Sequence, residues 1–230
     1  MLITGATQGI GLATSKLLNS NGYQVVGIAR NNLQNFPGEL YTCDLSDRMA
    51  TDKVLHKIKD HYPQILHIIN NVGIVARQPL EEVELDTLFT VFDLNVRTAV
   101  QITQAFIEEM KALQYGRIIN LTSRALTGIK NLSSYAASKS ALLGLTRTWA
   151  VEFAAYQITV NSVAPGPTDT ELLRKSTPVG SDAEKAVLAT IPLGRIGRPE
   201  EIAATIKFLL SKDAGFITGQ NICVDGGGSL

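Results

Sequence analysis

The chain has 230 residues, of which 45% are hydrophobic, and it carries 21 basic and 21 acidic side chains. This length and apolar share are typical of one compact α/β domain and unlike those of a disordered chain. Because the charges balance, no overall field attracts the chain to nucleic acid or to an anionic membrane, and neither partner is expected.

Targeting signals and metal motifs are not found in the sequence. No apolar run approaches the ~18 residues of a membrane-spanning helix, and a strand is predicted directly after Met1, so we expect a cytoplasmic protein without a targeting segment. The two cysteines, Cys43 and Cys223, lie far apart and are predicted to be buried free thiols. The histidines lack the spacing of metal ligands, and no metal is predicted.

The first predicted element is a short strand, Leu2–Thr4, followed by a glycine-rich turn and a helix predicted at Leu12–Asn21. Glycines let the backbone approach a ligand closely, and a helix N-terminus favours a phosphate. The spacing T-G-x-x-x-G-x-G differs from the common G-x-G-x-x-G, but the physics is the same. By itself such a segment can be merely a turn; after a strand and before a helix it indicates a nucleotide phosphate site. The residues assigned to it are Gly5, Thr7, Gln8, Gly9, Ile10 and Gly11.

Strands and helices are predicted to alternate through the rest of the chain. The predicted strands are Leu2–Thr4, Gln24–Ala29, Leu40–Cys43, Leu66–Asn70, Arg117–Leu121, Thr159–Val163 and Asn221–Val224. The predicted helices are Leu12–Asn21, Ala50–Asp60, Leu85–Leu113, Ser134–Ala155 and Glu200–Leu210. This alternation predicts one doubly wound α/β domain of the Rossmann type over residues 1–230, with about seven parallel strands and helices on both faces.

A Tyr and a Lys four residues apart, Tyr135 and Lys139, are predicted to open the helix after the fifth strand. Positions i and i+4 share a helix face, so the phenol and the ammonium can point into one site. A nearby cation lowers the pKa of a Tyr, which makes it usable as a proton donor and acceptor. Ser123, at the end of the fifth strand, could hold a carbonyl oxygen beside them. Taken alone, the spacing is weak evidence for a site, because a Tyr and a Lys more often lie four residues apart on a solvated helix face.

The segment Thr170–Ile191, rich in Ser, Thr and Pro, is the least regular part of the chain. We interpret it as a mobile helical lid over a substrate, with an ordinary surface loop as the alternative.

The order of these motifs resembles the short-chain dehydrogenase/reductase family. Further motifs carry the resemblance over nearly the whole chain: Asp44-Leu45, Asn70-Asn71-Val72-Gly73, Leu94-Asn95-Val96, N-S-V-A-P-G at Asn161–Gly166, Pro192–Arg195 and Thr218-Gly219 through Asp225–Gly227. The resemblance implies an oxidoreductase that transfers a hydride between a nicotinamide and a carbonyl or secondary alcohol. It implies catalytic roles for Asn95, Ser123, Tyr135 and Lys139.

The resemblance also implies a set of cofactor contacts. Beyond the glycine turn, these are Arg30, Asp44, Leu45, Asn71, Val72, Gly73, Tyr135, Lys139, Pro165, Gly166, Thr168 and Thr170. Val72 replaces the Ala usual in its motif. Asp44 is expected to accept from the adenine amino group, although by itself it could cap the next helix. Asn95 is expected to anchor a water on a proton path from Lys139.

The end of the second strand bears on the form of the cofactor. Family members that prefer NAD carry Asp where this chain has Ala29, and Arg30 can bind a 2′-phosphate. We therefore predict NADP(H) in preference to NAD(H). Many NADP-dependent relatives have a further basic residue where this chain has Gln8, so Arg30 could instead be a solvated surface charge.

The substrate is less sharply indicated. The chain most resembles 3-oxoacyl-thioester reductases, with sugar or polyol dehydrogenases as the alternative and a non-catalytic dinucleotide sensor as a more distant one. Reductases that serve acyl carrier protein tend to carry basic residues at Leu113–Tyr115 and Ala155–Gln157, where this chain has none. Arg124 and Arg174-Lys175 could replace them, or could be plain surface charges. Relatives associate through their long helices, so a homotetramer or homodimer is expected.

Overall fold

A computed structural model describes residues 1–230, the whole sequence. Seven strands form one parallel sheet in the order β3-β2-β1-β4-β5-β6-β7, which confirms the predicted fold class. The strands are β1 Leu2–Thr4, β2 Val26–Ala29, β3 Glu39–Thr42, β4 His67–Asn70, β5 Gly116–Leu121, β6 Ile158–Pro165 and β7 Asn221–Val224. The central strands are buried on both faces, as their continuous apolar runs indicate.

Eight α-helices flank the sheet. They are α1 Gly9–Ser20, α2 Arg48–His61, α3 Leu85–Phe92, α4 Thr98–Ala112, α5 Ser133–Phe153, α6 Glu171–Ser176, α7 Asp182–Leu188 and α8 Pro199–Leu210. Helices α2, α4 and α5 contribute to one hydrophobic cluster, whereas α1 and α8 contribute to another, so the sheet has a helical layer on each face. No helix combines the length and the apolar character that crossing a bilayer requires.

Helix α1 begins at Gly9, three residues earlier than predicted, so the glycine motif itself forms the first turn of the helix. Helix α2 begins after Asp47, whose side chain accepts from the Ala50 N–H at 2.9 Å. Asp44 is therefore not the cap of that helix. Its carboxylate instead accepts from the backbone N–H and the hydroxyl of Ser46, at 2.9 and 2.8 Å, in a local turn.

The structure confirms the helix predicted over Leu85–Leu113, which is continuous to Ala112, but the helix contains a turn that the sequence did not predict. Residues Asp93–Arg97 form a π-helical turn between α3 and α4. Hydrophobic periodicity does not register one extra residue in a turn, and such turns occur mostly at functional sites. Here the turn carries Asn95, which is 2% exposed.

The Thr170–Ile191 segment contains two short helices, α6 and α7, each capped by the hydroxyl of the preceding Thr170 or Ser181. The guanidinium of Arg174 donates to Asp169 at 2.6 Å and to Glu184 on α7. Arg174 therefore joins α6 to α7 and to Asp169 in the preceding segment. With both ion pairs formed, it is not available to an acidic partner protein.

Cys223 lies exposed on β7, the edge strand, so the expectation that both thiols are buried holds only for Cys43. A strand at the edge of a sheet has no neighbour on one side, and alternate side chains there face solvent.

Candidate active site

A cavity of about 830 Å³ opens beyond the carboxyl ends of the strands. In doubly wound sheets, ligands bind at this edge, where the strand order reverses between β1 and β4. Most predicted site residues line the cavity: Gly5, Thr7, Gln8, Gly9, Ile10, Arg30, Asp44, Leu45, Asn71, Val72, Gly73, Ser123, Tyr135, Lys139, Pro165, Gly166, Thr168 and Thr170. Two predicted residues, Gly11 and Asn95, lie behind its wall.

The glycine turn owes its shape to close backbone packing. A Cβ on Gly11 would lie 2.1 Å from the carbonyl oxygen of Gly5, so no other residue fits there. The Asn71 amide donates to the Thr4 and Gly5 carbonyls at 2.8 and 3.2 Å, and the Thr4 hydroxyl accepts from the Asn71 backbone at 3.0 Å. Gly11 and Asn71 thus stabilise the turn from behind, whereas Gly5 and Gly9 of the same turn line the cavity.

The first turn of α1 presents unpaired N–H groups to the cavity. Its N-cap residue, Gln8, forms no side-chain capping bond, and no acidic residue lies in the first turn. Unpaired donors and the helix dipole attract a phosphate to such a position. The residues present therefore fit a dinucleotide whose pyrophosphate lies at this N-terminus.

A single basic side chain lies at the end of β2. Arg30 is exposed, lines the cavity and has no carboxylate within 4 Å. It faces Asp44, whose pKa lies below its ordinary value mainly because Ser46 donates to the carboxylate, with a smaller contribution from the Arg30 charge. Arg30 thus retains all its donors for a ligand at this end.

The Ser123, Tyr135 and Lys139 side chains converge at the other end. Burial raises the pKa of Tyr135, and the Ser123 hydroxyl opposes this effect. Burial also lowers the pKa of Lys139 to about 8. The Lys139 Nζ donates to the Leu121 carbonyl at 2.7 Å and lies 5.7 Å from the centre of the Tyr135 ring. In the protein alone, burial outweighs the Ser123 hydrogen bond in setting the pKa of Tyr135, and the effect of Lys139 on that pKa stays a prediction.

Asn95 lies on the π-helical turn, and three hydrogen bonds to other parts of the chain hold its side chain in place. Its side chain accepts from the Ile74 N–H at 2.8 Å and donates to the Ile74 carbonyl and the Ser138 hydroxyl, each at 3.0 Å. A Cβ on Gly73 would lie 3.1 Å from the Asn95 Oδ1 and 3.3 Å from the Lys139 Nζ. The bare Gly73 backbone therefore leaves open the space that Asn95 and Lys139 share.

Two supporting residues escaped the sequence reasoning. Ser138 accepts from Asn95 and donates to the Tyr135 carbonyl at 2.8 Å, so it joins the π-helical turn to the helix of the Tyr–Lys pair. Thr122 lines the cavity and donates to the Val163 carbonyl at 3.0 Å. Their positions beside Lys139 and Ser123 were the available signal. Asn70, by contrast, is buried and donates to Asn120, away from the cavity.

Residues 5–229 match the family model described as enoyl-(acyl carrier protein) reductase. The 3-oxoacyl-[acyl-carrier-protein] reductase FabG of Thermotoga maritima is 35% identical, over 98% of this chain and 96% of the relative.

Solved structures share both the fold and the sequence pattern. A protein described as a short chain dehydrogenase/reductase family protein has a TM-score of 0.89 and 34% identity, covering 99% of this chain and 96% of its own. The aldohexose dehydrogenase of Thermoplasma acidophilum has a TM-score of 0.91 and 30% identity, covering 99% and 93%. ElxO with NADP bound has a TM-score of 0.90 and 28% identity, covering 98% and 96%.

Proposed function

The chain belongs to the short-chain dehydrogenase/reductase family, and we propose that it uses NADPH to reduce a ketone, of the 3-oxoacyl thioester kind, to a secondary alcohol. One observation carries the proposal. Ser123, Tyr135 and Lys139 converge on a cavity whose other end is an uncapped, glycine-rich helix N-terminus. Proton donors and a dinucleotide cradle therefore share one space.

In the proposed reaction Tyr135 is the proton donor. Because burial raises its pKa, Tyr135 is a neutral phenol near pH 7, which is the form that can protonate the developing alkoxide. The Ser123 hydroxyl donates a hydrogen bond to the same oxygen and stabilises its charge. NADPH, when bound, supplies the hydride.

Lys139 and Asn95 support this proton transfer. With a pKa of about 8, Lys139 is mostly protonated at pH 7 and stabilises a Tyr135 phenolate as it forms. We assign to Lys139 the ribose hydroxyls of the cofactor, and to Asn95 a water that returns the proton from solvent. Gly73 leaves room for such contacts beside both side chains.

The preference for NADPH rests on the adenosine end of the cavity. Ala29 ends β2 without a carboxylate to repel a 2′-phosphate, and Arg30 has unpaired donors to bind it. The similar ElxO structure holds NADP, which supports the same choice here. Asp44 is then available to the adenine, and Pro165, Gly166, Thr168 and Thr170 shape the nicotinamide end.

The segment that contains α6 and α7 serves, in this proposal, as a lid over the substrate. Its residues Leu172, Leu173 and Val187 line the cavity and give that wall an apolar surface. A carbonyl chain of the 3-oxoacyl kind can pack there, and the closed lid would exclude water from the hydride transfer.

A sugar or polyol dehydrogenase is the second candidate, favoured by the likeness to the aldohexose dehydrogenase. A polyol needs hydrogen-bonding partners for several hydroxyls, and Glu171, Ser176 and Thr177 of the lid line the cavity beside its apolar side chains, so the substrate panel below decides between the two candidates.

The proposal is tested by titrating the protein with NADPH and NADH through the nicotinamide fluorescence. Cofactor oxidation is then followed with an acetoacetyl thioester, a 1,2-diketone, a ketose and a keto-steroid. We expect tighter binding of NADPH and the fastest turnover with the thioester. Tighter NADH binding would contradict the cofactor assignment, and binding without any turnover would favour the dinucleotide sensor. Fastest turnover with the ketose would favour the sugar dehydrogenase.

A further inference from the structure

Arg124 directly follows Ser123 and lines the same cavity. It begins a 3-10 turn, Arg124–Thr127, that Ser123 caps by accepting from the Ala125 N–H at 3.1 Å. The Arg124 guanidinium therefore faces the same cavity as Ser123, Tyr135 and Lys139. A ligand that reaches Arg124 shares this cavity with the reacting carbonyl.

The Arg124 guanidinium is fixed in place but only partly used. Its Nη1 donates to the carbonyl and the hydroxyl of Thr190 at 3.2 and 3.1 Å. A Cβ on Gly228 would lie 2.4 Å from the same nitrogen, so the guanidinium packs directly against the backbone there. The Nε and Nη2 atoms donate to no protein atom, and no carboxylate lies within 4 Å. A guanidinium whose Nε and Nη2 are both open presents the two parallel donors that bind a carboxylate.

Arg124 is too far from the adenosine end to serve the cofactor's 2′-phosphate. It follows β5, whereas Arg30 follows β2, and β1 and β4 lie between these strands. Three strand spacings separate the two arginines by about 14 Å. Arg30 and Arg124 therefore face different parts of the cavity, and Arg124 is available to a group other than the 2′-phosphate.

The cavity that Arg124 lines carries more basic than acidic side chains, in a protein whose total charge is zero. Arg77 and Lys175 line it without an ion-pair partner, whereas Asp44 and Glu171 are its acidic side chains. Five other arginines do have acidic partners: Arg48, Arg97, Arg174, Arg195 and Arg198. Unpaired cations beside apolar walls attract an anion more strongly than the same charges in water.

From this placement we propose that Arg124 binds a free carboxylate of the substrate, so that the preferred ketone is an oxo acid. The inference rests on the proposed ketone reductase function and replaces the neutral thioester by the free oxo acid as its substrate. Arg77 and Lys175 add long-range attraction for the same charge, whereas the paired donors of Arg124 give orientation.

The test compares freshly prepared acetoacetate with methyl acetoacetate, a neutral ketone of nearly the same shape, using NADPH and the intact protein. We expect kcat/KM to favour acetoacetate by tenfold or more. In Arg124→Gln the ratio of the two kcat/KM values should fall at least tenfold, mainly through KM for the acid. Arg124→Lys keeps the charge but loses the two parallel donors. Its ratio of kcat/KM values should lie between those of the wild type and Arg124→Gln. The control is Arg147→Gln on α5, exposed and outside the cavity, which should keep the wild-type ratio.

A second pair of substrates separates the carboxylate from a phosphate. Acetoacetyl-coenzyme A carries phosphates, whereas acetoacetyl-N-acetylcysteamine has none. If Arg124→Gln changes only the ratio of these two thioesters, Arg124 binds a carrier phosphate and the oxo-acid proposal is wrong. Equal kcat/KM for acetoacetate and its ester in the wild type would also overturn it, while the reductase function would stand.

Binding can be measured without turnover. Acetoacetate cannot be reduced in the presence of NADP⁺, so calorimetric titration of that complex reports binding alone. Arg124→Gln should weaken it about tenfold or more; unchanged affinity refutes the role of Arg124. Failure to bind either nucleotide would instead refute the proposed function itself.

Discussion

Lys139 is a buried cation, and its burial predicts how the free energy of unfolding depends on pH. The side chain is 3% exposed, and its pKa falls from 10.5 to about 8. Each unit of pKa difference between folded and unfolded chain corresponds to about 1.4 kcal/mol, so protonated Lys139 destabilises the fold by about 3 kcal/mol at pH 7. The unfolded chain binds more protons than the folded one between pH 8 and 10.5. The Lys139 contribution to the free energy of unfolding therefore rises with pH through that window.

The perturbation is Lys139→Met, which keeps the apolar stem and removes the charge. The Leu121 carbonyl loses a donor, which costs ~1 kcal/mol at any pH. At pH 7 the variant should nevertheless be more stable than the wild type by about 2 kcal/mol. By pH 10 most of that gain should be gone, because the wild-type lysine is then neutral in the folded protein.

The assay is urea unfolding of the cofactor-free protein at pH 7 and pH 10, at one protein concentration. Other titrating groups cancel when the variant and the wild type are compared at the same pH. Lys16→Met is the control, since Lys16 is exposed on α1 and should give the same small difference at both pH values. A Lys139→Met difference that does not change between pH 7 and pH 10 would refute the reasoning.

Three further predictions follow from the proposed site. Tyr135→Phe should lose more than about nine tenths of the turnover while binding NADPH normally, because only the proton donor is removed; stopped-flow rates and a fluorescence titration check this. Arg30→Ala should weaken NADPH binding about tenfold or more and NADH binding little, and equal NADPH affinities would place the phosphate contact elsewhere. Phe89 and Val151, 64% and 82% exposed, suit a subunit interface, so light scattering should give a tetramer, and a monomeric mass at micromolar concentration would contradict it.

The sheet could be predicted from the sequence because each buried strand is a short apolar run bounded by turn residues. The runs ending at Asn70 and Leu121 end at the same residues in the structure. The helix ends that differ between prediction and structure depend on local backbone conformation and hydrogen bonding. Helix α1 begins three residues earlier than predicted, at Gly9, whose φ of +50° favours a glycine and leaves no mark in the apolar periodicity.

The catalytic residues could be named from their spacing, but their electrostatics could not. The Tyr–Lys spacing puts two side chains on one face and says nothing about how deeply either is buried. Depth decides here, because burial raises the pKa of Tyr135 and lowers that of Lys139. The π-helical turn at Asn95 is invisible for a related reason. Its partners, the Ile74 backbone and Ser138, come from distant parts of the chain and meet Asn95 only once the sheet has formed.

Three features that packing alone does not favour lie together at the catalytic end of the cavity: the buried Lys139, the π-helical turn at Asn95 and the missing side chain at Gly73. A buried ammonium without an acidic partner lowers stability, and a Met of similar length would pack there at less cost. Asn95 beside it requires a π-helical turn, and the neighbouring Gly73 gives up its side chain to keep the space open. Each choice weakens the fold locally, and all three meet at the same edge of the cavity. Selection for packing alone would not favour any of the three. Their common location is best explained by the chemistry of a proton transfer, which needs a desolvated charge close to the phenol of Tyr135.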